Sequence, residues 1–161
     1  MLDTIPGVAR RTAEMIVAEI GTDMTRFPSA DHLASWAWVA PGNDESASKR
    51  ASGKTRKGNR FLRTTLVQAA HTAARTRNTY LRAQYRRLTA RRGKKRAILA
   101  VAHSRLVTAY CMIQRREPYR DAGADYFDQL QLEDTARRLV KRLEGLGYHV
   151  ELQTPSTDTR P

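Results

Sequence analysis

The stretch Asn59-Arg60-Phe61-Leu62-Arg63-Thr64-Thr65-Leu66-Val67-Gln68-Ala69-Ala70-His71-Thr72-Ala73-Ala74-Arg75-Thr76 decides the fold class. Leu62, Leu66, Ala69, Ala70 and Ala73 recur at the three- and four-residue spacing of one helical face, with Arg60, Thr64, His71 and Arg75 opposite. Asn59 offers a side-chain oxygen to the first free N–H groups, so a capped helix over about 60–76 is predicted. Downstream the same period returns over 80–90 (Leu81, Tyr85, Leu88) and over 96–114 (Ile98, Leu99, Ala102, Leu106, Ala109, Tyr110, Ile113). Arg92-Gly93-Lys94 separates these two segments, and Pro118 is the predicted stop. A last amphipathic helix is expected over 133–146, using Ala136, Leu139, Val140, Leu143 and Leu146, with Gly147 after it. Upstream, Ile5-Pro6-Gly7-Val8 reads as a turn feeding a helix over 9–20 on Ala9, Ala13, Ile16, Val17 and Ile20. A short helix over 29–38 is capped by Ser29 and turns Leu33, Trp36 and Val39 to the core. The expectation is an all-α protein. One domain covers 1–130, a C-terminal helix with a short strand or arm covers 131–152, and 153–161 is a disordered tail.

Charge is distributed as unevenly as the helices are regular. The 161 residues carry a net charge of +13, with 29 Lys and Arg against 16 Asp and Glu. Between Ser46 and Arg116 there are 20 Lys and Arg and not one Asp or Glu, whereas residues 1–45 and 117–161 are each slightly acidic. Such a block repels itself unless a counter-charge is supplied, which is the footprint of a phosphate-binding face. An anionic membrane or an acidic protein would serve the same electrostatics, with nucleic acid the favoured partner. Cys111 is alone, so no disulfide forms within the chain. Residues 1–30 lack a signal-peptide pattern and no apolar run approaches the ~20 residues of a membrane span. The expectation is a soluble, reduced, cytoplasmic protein without a membrane partner.

Two segments carry candidate chemistry. At Pro6-Gly7 a tight turn precedes a helix whose first turn holds Arg10 and Arg11. This is half of a helix-hairpin-helix, a place where N–H groups and the helix dipole receive a phosphate, and it reads equally as a plain turn. From Ala40 to Asn59 the periodicity vanishes, and hydroxyls (Ser46, Ser48, Ser52, Thr55) stand among Lys49, Arg50, Lys54, Arg56 and Lys57. A hydroxyl can attack phosphorus while cations stabilise the non-bridging oxygens. By composition alone the same segment is a flexible basic loop. It lacks the G-x-x-x-x-G-K-[ST] spacing of a Walker A loop.

A family resemblance rests on these blocks. Ile5-Pro6-Gly7, Thr12-Ala13, Ala18-Glu19-Ile20-Gly21, Phe27, Ala40-Pro41-Gly42-Asn43-x-Glu45-Ser46-Ala47-x-Lys49-Arg50, Gly53, Arg56-Lys57-Gly58-Asn59 and Leu62-Arg63 together resemble the C-terminal transposase domain of the insertion-sequence 110/116/902 family. The resemblance runs over about residues 3–130 and touches Gly145-Leu146-Gly147-Tyr148. It implies a DNA recombinase of mobile elements that pairs a resolvase-like, metal-binding domain with a domain carrying a nucleophilic serine. It further implies an element-encoded guide RNA as a partner, and association with like or intact transposase subunits. Ser46 matches the family's serine, with Ser48 and Ser52 as lesser candidates. Divalent metal, magnesium, is implied for the resolvase-like domain, which lies outside these 161 residues; no cofactor is expected on this chain, and inactivity alone is expected of it. Trp38 stands where the family has a small residue, and Ser48 where glycine is usual.

Around Ser46, the expected nucleic-acid contacts are Gly7, Arg50, Lys54, Arg56, Lys57, Arg60 and Arg63, extended by Arg86, Arg87, Arg91, Arg92, Lys94, Lys95 and Arg96. Glu14, Glu19, Asp23, Asp121, Asp125 and Asp128 lack metal-ligand spacing and read as helix-face or turn residues. His71 and His103 read as surface residues and Cys111 as a small buried hydrophobe. Leu81, Tyr85 and Phe61 are assigned to the core rather than to base stacking. The rival reading is a nucleic-acid-binding module without a covalent step. A third is an interaction protein whose basic block meets an acidic partner.

Overall fold

A computed structural model describes residues 1–40, 45–46, 49–50 and 59–152, with residues 45–46 and 49–50 described by backbone alone. A 3-10 turn at Leu2–Thr4 leads through Pro6-Gly7 into α1 (Arg10–Ile20); a second at Met24–Arg26 precedes α2 (Ala30–Trp36). Two short strands follow, β1 (Glu45–Ser46) and β2 (Lys49–Arg50), paired antiparallel with Glu45 opposite Arg50 and Ser46 opposite Lys49. Then come α3 (Arg60–Ala73), α4 (Tyr80–Arg92), α5 (Lys94–Arg115), α6 (Tyr126–Leu130) and α7 (Leu132–Glu144). The all-α expectation holds, apart from that one two-residue ladder within the segment expected as loop.

The starts are chemically specified. Ser29 Oγ accepts from the His32 N–H at 3.3 Å, Asn59 Oδ1 from the Leu62 N–H at 3.0 Å, and Thr79 Oγ1 from the Arg82 N–H at 3.3 Å. Each satisfies one of the N–H groups that a helix start leaves without a partner. Gly93, at φ +80, closes α4 and opens α5 by itself. At the other end, Arg116 turns left-handed (φ +57) and stops α5 two residues ahead of Pro118, the predicted stop.

Clustering of contacts separates Met1–Tyr126 from Phe127–Pro161. Within the first unit, α5 packs against α2, α3 and α4, and α1 packs on α3. The predicted α3 stripe of Leu62, Leu66, Ala69, Ala70 and Ala73 is buried throughout, joined by Ile16, Ile20, Leu33, Val39, Leu81, Val101 and Leu106. Trp36 departs from expectation and is 42% exposed. The buried face of α2 is Leu33, Ala34 and Ala37, and at 3.6 residues per turn Trp36 lies about 100° from its centre. Trp36 packs instead at the edge against Phe27, ring centroids 5.6 Å apart.

By length and composition α5 alone among the described helices could cross a membrane, although His103 and Arg105 interrupt its apolar run. Half of its most apolar 18-residue stretch is buried inside the protein, so its apolarity is that of a core helix enclosed by three others. In the second unit Leu139 and Leu143 of α7 are exposed, and Ala136 and Val140 half-buried. It ends in a Schellman motif: Tyr148 N–H donates to the Leu143 carbonyl at 3.1 Å and Gly147 N–H to that of Glu144 at 2.9 Å, with Gly147 at φ +91. Residues 148–152 form no strand, and the expected disordered tail at 153–161 falls outside the described residues.

Gly7 is the tightest point of the N-terminal packing. At φ +75, it sits so that an added Cβ would stand 2.8 Å from the Ala73 nitrogen and 2.6 Å from Arg105 Nη2. Gly7→Ala is therefore expected to destabilise the chain by about 2 kcal/mol or more, left-handed strain alone contributing roughly 1–2 kcal/mol. The measurement is the urea midpoint. An unchanged midpoint would mean that the turn is not seated on α3.

Candidate nucleic-acid interface

The serine-bearing segment leaves and re-enters the helical body at two fixed points. At its start, the Val39 and Ala40 N–H groups both donate to the Ala34 carbonyl, at 3.2 and 3.3 Å, and Val39 is buried. Trp38 between them and α2 is left-handed (φ +57), a conformation that favours glycine. At its end, Asn59 caps α3 through Oδ1 while its Nδ2 donates to the Glu19 carboxylate on α1. Ser46 lies between these anchors, on β1, with Lys49 opposite it in register. Arg50 is on β2; Lys54, Arg56, Lys57, Ser48 and Ser52 fall outside the described residues.

Arg60 is exposed on the first turn of α3, and Arg63 is half-buried one turn along. The outer corner where α4 meets α5 exposes Arg91, Arg92, Lys94, Lys95 and Arg96, with Arg86 exposed on α4 and Arg87 half-buried. No Asp or Glu occurs in α3, α4 or α5, so no carboxylate of these helices neutralises them. Phe61 departs from expectation. It is 72% exposed, because the core-facing stripe of α3 begins one residue later, at Leu62. Of the other two core assignments, Leu81 is buried and Tyr85 half-buried.

The Pro6-Gly7 turn closes through the Val8 N–H and the Ile5 carbonyl at 2.9 Å. Ala9 at the N-cap of α1 supplies no side-chain acceptor. An open groove of about 520 Å³ runs beside this turn, with Thr4, Thr12, Thr65, Gln68 and Thr72 on its walls. Behind Gly7 lies the least expected residue of the unit, Arg105. It is 1% exposed, and all three of its guanidinium nitrogens lack a hydrogen-bond partner among the described residues. Burial pulls its pKa down to about 10, against the opposing pull of Tyr119. Tyr119 is itself raised, first by burial and then by the hydrogen bond from its hydroxyl to Asp121 Oδ2 at 2.9 Å.

Three of the carboxylates read as helix-face or turn residues make structural contacts. Asp121 Oδ1 accepts from the Tyr80 N–H at the start of α4, Asp23 caps the second 3-10 turn, and Glu19 holds Asn59. Among the described residues, no three His, Cys, Asp or Glu side chains gather where a metal ion would sit, so these residues do not fit a magnesium site. His71 is exposed, as expected. His103 is half-buried on α5 rather than on the surface; burial lowers its pKa, and Asp31 opposes this.

The pinned segment, the hairpin turn and the start of α3 all fall within residues 1–86, the span matched by the model of the Transposase IS116/IS110/IS902 family. The chain belongs to that family. It is 34% identical over 117 residues (71% of this chain, 28% of the relative) to the insertion element IS110 uncharacterized 43.6 kDa protein of Streptomyces coelicolor. It is 30% identical over 122 residues (74% and 38%) to the pilin gene-inverting protein of Moraxella bovis. It is 29% identical over 127 residues (74% and 34%) to the transposase for insertion sequence element IS1111A of Coxiella burnetii. The chain spans about a third of the length of these curated relatives. No solved structure matches. In this transposase-family chain the matched span ends within α4, so the basic corner at Gly93 lies beyond it.

Two side chains of the transposase fold give measurable expectations. Arg105→Met is expected to be neutral or stabilising, by about 1–4 kcal/mol on the scale of replacing buried ionic groups with apolar ones. A loss of more than about 2 kcal/mol in denaturant titration would show that the guanidinium is satisfied in solution. His103, whose folded pKa lies below its ordinary value of 6.5, binds its proton more readily when unfolded. Its contribution is therefore full above pH 6.5 and is lost as pH falls below it. His103→Gln should flatten the decline in urea midpoint between pH 7 and pH 5; an unaltered decline would assign it to other groups.

Proposed function

We propose that this chain is the serine-bearing, DNA-binding part of an insertion-sequence transposase. The Ser46 Oγ attacks a DNA phosphodiester: an Oγ–P bond forms, one sugar P–O bond breaks, and the serine proton ends on the departing sugar oxygen. Attack by a second sugar hydroxyl on the phosphoserine reverses these changes and joins a new strand, returning the proton to Ser46. Arg50, Lys54, Arg56, Lys57, Arg60 and Arg63 hold the surrounding phosphates, and the basic corner of α4 and α5 extends the track. What supports the reading above all is the family match, which runs through Ser46 and its pinned segment. The resolvase-like domain of the family resemblance supplies the magnesium-binding carboxylates, and a guide RNA selects the DNA. No step assigned to this chain runs through the metal, and without that domain the chain binds but does not cleave.

The groove beside Pro6-Gly7 favours a second reading, a phosphate-binding hairpin without covalent chemistry: α1 has no side-chain cap there. One experiment separates the two. The chain is combined with a complete resolvase-like domain, magnesium, guide RNA and element DNA, and a protein–DNA adduct is sought on denaturing gels. An adduct abolished by Ser46→Ala is expected. An adduct that survives Ser46→Ala removes the serine assignment, and salt-sensitive binding with no adduct leaves the hairpin reading.

A further inference from the structure

Phe61 is an exposed aromatic ring on a fixed turn. Its neighbour Leu62 is buried, whereas Phe61 is 72% exposed on the first turn of α3. Leaving such a side chain in water forgoes roughly 1.5–3 kcal/mol of burial. The turn that carries it is fixed from both sides, by the Asn59 cap on Leu62 and by the Asn59–Glu19 hydrogen bond to α1. Four residues on, Thr65 Oγ1 lies 3.9 Å from the Met15 sulfur of α1, so Phe61 continues the same side of α3 toward the helix start. Met15 is itself 38% exposed.

Arg60, exposed, adjoins Phe61 about 100° round the first turn of α3. On α1, Glu19 is engaged by Asn59, and Glu14 by Arg10 at 3.0 Å. Two apolar side chains are too few for a lasting protein–protein interface, which requires hundreds of Å² from each partner. An exposed aromatic face beside an arginine instead matches a nucleobase with its attached phosphate. Paired bases in a duplex already have both faces stacked, so only an unpaired nucleotide offers a free one.

We propose that Phe61 is a stacking platform for an unpaired nucleobase beside the Ser46 segment, with Arg60 on the adjoining phosphate. The proposal rests on the nucleic-acid reading above. Phe61 would hold a nucleotide splayed from its strand at the edge of the segment that carries the nucleophile.

The test uses the whole chain and three probes of one sequence: single-stranded DNA, single-stranded RNA and duplex DNA. Phe61→Ala is expected to weaken single-strand binding about 5- to 150-fold, the scale of one base–aromatic stack. Duplex affinity should stay within about twofold, and the slope of log affinity against log salt should not move. Arg60→Gln, by contrast, should lower that slope by about 0.7, one phosphate contact on a single strand. Phe61→Trp should keep the affinity and add an emission band quenched by the single strand, read as the difference from the parent. The single strand that loses affinity, DNA or RNA, names the source of the base. Phe61→Ala binding single strands like the parent overturns the proposal, as does an equal loss on all three probes. So does altered self-association in light scattering with nucleic-acid binding intact. A parent chain that binds none of the probes overturns the nucleic-acid reading itself.

Discussion

The enclosure of α5 governs the layout of the first unit. A helix packed by α2, α3 and α4 must be apolar around most of its circumference, because polar groups there would lose water without gaining partners. Its cations are accordingly driven to the ends, Lys94, Lys95 and Arg96 at one and Arg115 at the other. The same pressure makes the helix apolar enough to resemble a membrane span. Arg105 in the middle is the one charged exception within this helix, lodged behind Gly7 where the N-terminal turn closes over it.

Much of this was legible in the sequence because helix periodicity and cap chemistry are local. The α3 stripe follows from spacing alone, and Ser29 and Asn59 cap as their side chains permit. The misassigned residues share a different cause. Trp36 and Phe61 read as core at helical spacing, yet each lies off the buried stripe of its own helix. His103 and Arg105 were unreadable for the opposite reason. Helix periodicity distinguishes one face from another, but on a helix enclosed by three neighbours even an off-stripe polar residue meets protein.

The candidate site was legible mainly through the family's block pattern; composition marked the basic segment without singling out Ser46. The structure adds its mounting. One end is held by a doubled donation to the Ala34 carbonyl and the other by Asn59, which serves α3 and α1 at once. Neither anchor is basic, so removing cations from the intervening segment would leave its points of attachment untouched. Position and charge are thereby supplied by different residues, and each can vary without the other.

The single-residue joint at Gly93 brings Arg91, Arg92, Lys94, Lys95 and Arg96 to one corner as soon as α4 packs on α5. In the unfolded chain these charges are free to move apart, so folding concentrates a repulsion that dissolved ions relieve. The same ions would compete with the phosphates proposed for the corner. Raising ionic strength thus acts on these cations with two opposite signs, steadying the fold while weakening the polyanion contacts proposed for them. The conditions that favour the free protein and those that would favour the proposed complex are set apart by the geometry of one glycine.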